Sequence, residues 1–104
     1  MIEAIKKMLG IKSVDYAQLV REGAIILDVR TTGEYSTGHI KGSVNIPLNN
    51  LTSNLSKLKA KNKPVITCCA SGMRSASAKS LLQSHGISEV YNGGAWHRLN
   101  SKIR

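Results

Sequence analysis

Apolar residues of this chain recur at steps of three and four over some stretches and run together over others, a pattern that predicts helices alternating with buried strands. Ile2, Ile5 and Leu9 share a helical face beside Lys6 and Lys7, so residues 1–12 read as an amphipathic helical extension that covers an edge of its own domain. Ser13 is placed to cap a second helix carrying Tyr16, Leu19 and Val20, which Gly23 ends. Ala24 to Val29 then reads as a buried strand. Thr31 and Glu34 fit a capping box for a short helix closed by Gly38, and Val44-Asn45-Ile46 is a brief strand stopped at Pro47.

Leu48, Leu51, Leu55 and Leu58 predict a third helix, with Lys57, Lys59, Lys61 and Lys63 on its outer face and exit. Val65 to Cys68 is β-branched and apolar, and a helix follows from Ser75 through Ala78, Leu81 and Leu82 to His85, closed by Gly86. Glu89-Val90-Tyr91 forms a last strand, and Asn92-Gly93-Gly94 turns into a terminal helix holding Ala95, Trp96 and Leu99. Alternation of this kind implies crossover connections, a mainly parallel sheet covered on both faces, and ligands at the carboxyl ends of the strands.

Composition narrows the class. A chain of 104 residues, 41% of them hydrophobic, can build one domain with a core of its own, 13–104 here, and with no Phe that core is aliphatic. The longest aliphatic run, Ala24 to Leu27, is far shorter than the roughly 7–15 apolar residues of a secretory signal. The expectation is therefore a cytoplasmic monomer that does not enter a membrane. The two cysteines, Cys68 and Cys69, are neighbours and cannot close a structural loop, which leaves a reactive thiol as the attractive reading. A net charge of +9 draws small anions, acidic proteins or nucleic acid. No aromatic residues interleave the lysine run as stacking platforms, so a solvated helix face is expected there and no nucleic-acid partner.

Candidate chemistry lies in the loop Cys69-Ala70-Ser71-Gly72-Met73-Arg74-Ser75, which links a buried strand to a helix start. Short residues there let successive backbone N–H groups converge on one point. A thiol at that point, above a helix N-terminus and near Arg74, is expected to ionise well below its usual value of about 8.5. Gly72 supplies a turn that other residues resist, and Met73 an apolar rim. A thiolate in a ring of donors can attack a sulfane sulfur, and the same donors stabilise the persulfide. The competing reading is an inert cysteine in an ordinary strand-to-helix turn.

Cys69, Gly72, Arg74 and Ser75 reproduce a loop of the form Cys-x-x-Gly-x-Arg-Ser, and by it the chain resembles the rhodanese family. Further blocks in order carry the same resemblance: Asp28-Val29-Arg30, Glu34-Tyr35, Gly38 through Pro47, and Asn92-Gly93-Gly94 with Trp96. It spans about residues 13 to 101 and is nearest to the single-domain members. The resemblance implies a three-layer α/β fold with a central, mainly parallel sheet of about five strands. It also implies transfer of sulfane sulfur from thiosulfate or a persulfide donor to cyanide or a thiol acceptor through a Cys69 persulfide, with Ala70 to Ser75 receiving substrate and neither metal nor organic cofactor. Asp28, Arg30, Glu34 and His39 are expected to brace the loop as a polar network, and Trp96 and Tyr91 to pack the last helix.

Two other readings remain open at this point. Counted from Cys68, the chain has the Cys-x5-Arg-Ser spacing of protein tyrosine phosphatases, but Gly72 falls in the sulfurtransferase position only when Cys69 is the nucleophile. Alternatively the domain is a sulfur relay without turnover, docking an acidic protein partner through its basic face. Adjacent cysteines and three scattered histidines do not match the spacing of a zinc site.

Overall fold

The computed structural model describes residues 13–104, and the expected helix over residues 1–12 lies outside them. Four parallel strands form the sheet: β1 (Ile25–Asp28), β2 (Val44–Asn45), β3 (Val65–Cys69) and β4 (Val90–Ala95), in the order β2-β1-β3-β4. The count among the described residues is four where the resemblance implies about five. Helix α1 is Tyr16–Arg21 and α2 is Thr32–Ser36. Next come α3 (Leu55–Lys61), α4 (Met73–Ser84) and α5 (Trp96–Ile103).

Strand alternation divides the core between the two faces of the sheet. Leu27, Val29, Val65 and Cys69 face Leu58 of α3 and Ala78 and Leu82 of α4. Ile26, Ile66 and Cys68 face Leu99 and Trp96 of α5, with Tyr16, Leu19 and Val20 of α1. The three layers follow from this division. Among the described residues no helix is long and apolar enough to cross a membrane.

Several local expectations are corrected. Asp15, not Ser13, caps α1, its carboxylate accepting the Gln18 N–H at 3.0 Å. The leucines from Leu48 to Leu58 do not lie on one helix: two 3-10 turns, Leu48–Asn50 and Thr52–Asn54, precede α3, and a three-residue recurrence suits them as well. Strand β3 runs one residue further than expected, to Cys69, and α4 starts two residues earlier, at Met73. Strand β4 continues through Asn92-Gly93-Gly94, where the sequence pattern predicts a turn. A Cβ on Gly93 would lie 2.8 Å from Thr67 O, so this glycine serves close packing against β3. The register slips between Thr67↔Asn92 and Cys69↔Ala95.

Candidate active site

All four strands point the same way, so Asp28, Asn45, Cys69 and Ala95 end along one edge of the sheet. From Cys69 the chain crosses Ala70, Ser71 and Gly72 into α4, whose cap is Gly72 with φ +109°. In this left-handed turn the Gly72 N–H donates to the Cys69 sulfur at 2.9 Å and the Ser75 N–H donates to it at 3.3 Å. The predicted convergence of donors is thus present, with Cys69 Sγ as the acceptor. Cys69 has no exposed surface, whereas Ala70, Ser71 and Met73 are exposed and form the rim above it.

Burial by itself raises the Cys69 thiol, but the Ser75 hydroxyl and the N–H groups of Ser75, Gly72 and Ser71 outweigh it, and the thiol lies below its ordinary value. The single Ser75 hydroxyl proton has three acceptors within reach: the sulfur, Gly72 O at 2.9 Å and Asn92 Oδ1 at 2.5 Å. Arg74 was expected to contribute to this depression. Its guanidinium instead holds Glu34 in a two-pronged ion pair, Nη1 to Oε1 at 2.7 Å and Nη2 to Oε2 at 2.9 Å. The donors of the turn lead in lowering the thiol, with Ser75 first, and Arg74 acts on it only through its charge.

Cys68 lies on the opposite face of the sheet. Burial first, and then the Asp28 carboxylate, push its thiol up to about 12. It is a core residue beside a buried ion pair.

That pair begins the brace expected from the sequence. Arg30 Nη2 meets Asp28 Oδ2 at 2.7 Å with both side chains buried, and the guanidinium lies 4.7 Å from the Trp96 ring centroid. Arg30 also donates to Glu34 O at 3.3 Å and to Gly38 O at 2.8 Å, fastening the middle of α2 and the turn that follows it to the tip of β1. Glu34, on α2, then reaches Arg74 on α4, so the brace crosses from β1 to the loop through one carboxylate. Thr31 completes the capping box, its N–H and hydroxyl both meeting Glu34 Oε1. His39 is outside this network: exposed, stacked on Tyr35 at 3.7 Å, with Nδ1 2.8 Å from Tyr35 O. It secures its own turn.

Sequence reasoning missed two positioning residues. Thr67, buried within the apolar β3, donates to Ser75 O at 2.9 Å. Asn92 accepts from Ser75 Oγ and, at 2.9 Å, from the Gly94 N–H. Together they tie the first turn of α4 to β3 and β4. A lone polar residue in a buried strand was the available signal.

Set against known proteins, residues 12–95 match the family described as the rhodanese-like domain. YqhL of Bacillus subtilis is 35% identical over 82 residues, which are 78% of this chain and 64% of YqhL. The thiosulfate sulfurtransferase GlpE of Pseudomonas fluorescens is 35% identical over 79 residues, 75% of this chain and 72% of that protein. Among solved structures, a rhodanese with anions from E. coli superposes with a TM-score of 0.68 at 30% identity, covering 73% of this chain and 91% of the other.

Proposed function

The chain belongs to the rhodanese-like domain family, and on that premise we propose that it is a sulfurtransferase carrying sulfane sulfur as a persulfide on Cys69. The observation that supports this reading best is the Cys69 sulfur accepting N–H donors from Gly72 and Ser75 at the start of α4. Such donors stabilise the attacking thiolate and afterwards the persulfide anion, with no charge elsewhere needing to reorganise.

The thiolate attacks the outer sulfur of thiosulfate or of a persulfide donor. An S–S bond forms at Cys69 as the donor's S–S bond breaks, and sulfite or a thiolate departs with the electron pair. Cyanide or an acceptor thiolate then takes the terminal sulfur, releasing thiocyanate or a new persulfide and restoring the Cys69 thiolate. Electrons balance without an external oxidant, and neither metal nor organic cofactor takes part. Ala70 to Ser75 receive the donor, and Asp28, Arg30 and Glu34 hold the loop. The net charge of +9 favours a small anionic donor and, in a relay, an acidic protein acceptor.

Use of Cys68 as a phosphatase nucleophile is disfavoured by its burial on the other face of the sheet and by its raised pKa. The test is thiocyanate formation from thiosulfate and cyanide, run beside aryl phosphate hydrolysis. Thiocyanate should form with wild type and Cys68→Ser and vanish with Cys69→Ser. Turnover retained by Cys69→Ser, or phosphate release that depends on Cys68, would sink the assignment.

A further inference from the structure

From Cys69 to Ser75 the loop carries one charged side chain, Arg74; Ala70, Ser71, Gly72 and Met73 are neutral. That charge is already matched, since both Glu34 oxygens engage the guanidinium. Glu34 is held in place as well: Thr31 donates to Oε1 from N at 3.0 Å and from Oγ1 at 3.1 Å, and Arg30 fastens the α2 backbone at Glu34 O. The Gly72 and Ser75 N–H groups are taken up by the sulfur. A dianion approaching the Cys69 thiolate therefore meets a carboxylate and a cancelled cation. The most exposed large apolar side chain among the described residues, Met73 at 79%, stands on the same rim.

We propose that Glu34 sets the donor class of this site: by neutralising Arg74 it turns the loop toward organic persulfides that bear at most one negative charge, and away from thiosulfate. The inference rests on the sulfurtransferase reading and narrows it. The organic part of the donor lies along Met73, where it covers apolar surface. In the transfer, Cys69–S⁻ attacks the outer sulfur of R–S–SH; the new S–S bond forms at Cys69, the donor's own S–S bond breaks, and the thiolate that departs with the electron pair takes the proton to leave as R–SH. Glu34 is a positioning residue that touches Arg74 and never the reacting sulfur.

The test loads the full chain with either sodium thiosulfate or ethyl persulfide released from a precursor, and follows sulfur on Cys69 by intact mass against donor concentration. Wild type should half-load with ethyl persulfide at a concentration about tenfold below that for thiosulfate. Glu34→Gln keeps the α2 cap, since glutamine serves a capping box as glutamate does. It should lower the thiosulfate requirement by about tenfold while the ethyl persulfide requirement stays within about twofold. Met73→Ser, at a position 79% exposed and outside the core, should raise the ethyl persulfide requirement by a larger factor than the thiosulfate requirement.

Equal half-loading of wild type by the two donors, or a Glu34→Gln shift that moves both together, would overturn the donor assignment and leave sulfur transfer standing. If neither donor loads Cys69, the sulfurtransferase reading itself falls, and the donor assignment with it.

Discussion

Cys68 and Cys69 are neighbours in β3 with their side chains on opposite faces of the sheet, Cys68 packed toward α5 and Cys69 toward α4. The two thiols accordingly differ in chemistry: one is pushed up to about 12, the other held below its ordinary value. Cys68→Ala should cost about 1 kcal/mol of stability through lost packing and leave sulfur loading intact. Urea unfolding and persulfide formation on one preparation check both halves, and loss of loading in a folded Cys68→Ala protein would refute the division of roles.

The depressed Cys69 thiol owes most of its lowering to Ser75. Ser75→Ala removes the hydroxyl and keeps the backbone donor, so the thiol should titrate higher than in wild type while remaining reactive. Because the folded thiol ionises below the unfolded one, its ionisation adds stability above the unfolded pKa, and that contribution is lost as pH falls through the folded value. Thiolate ultraviolet absorbance against pH reads the shift, and an unmoved titration in Ser75→Ala would show that the hydroxyl proton serves only Asn92 and Gly72.

Arg74, through its hydrogen bonds, brings the Glu34 carboxyl down from 4.5 to about 2, with the Thr31 N–H adding to the effect. Sign and window follow: the pair contributes above the unfolded pKa of 4.5 and is lost as pH falls toward about 2. The contribution is small because both side chains are solvent-accessible. Carboxyl carbon shifts of Glu34 should therefore stay flat through pH 5 and move only in strong acid; titration near 4.5 would mean that the pair does not persist in solution.

Removing Asp28 leaves a buried guanidinium without its carboxylate. Asp28→Ala should destabilise the domain by about 3–5 kcal/mol, since an uncompensated buried charge costs more than the pair is worth. Denaturant unfolding measures it, and a loss under about 1 kcal/mol would show that Gly38 O, Glu34 O and the Trp96 face suffice for Arg30.

Strand and helix alternation was legible because Val65 to Thr67 are β-branched and Ala24 to Leu27 aliphatic, and Gly23 and Pro64 mark where these runs begin. Gly72 marked the turn around the sulfur for the same local reason, its positive φ. What escaped the sequence is set by contacts distant along the chain. Glu34 and Arg74 are 40 residues apart, and only their meeting across the loop shows that the cation is committed. Gly93 has the composition of a turn and the job of a strand, which becomes visible only against Thr67 O. The leucine spacing after Pro47 suits 3-10 turns and an α-helix alike, so periodicity could not separate them.

The central claim is that Cys69, held by the Gly72 and Ser75 N–H groups, is the sulfur carrier. Intact mass after exposure to a sulfane-sulfur donor, for wild type, Cys68→Ser and Cys69→Ser, addresses it directly. One added sulfur that cyanide removes should appear on wild type and Cys68→Ser and be missing from Cys69→Ser. An adduct that persists in Cys69→Ser, or that disappears only in Cys68→Ser, would contradict the account.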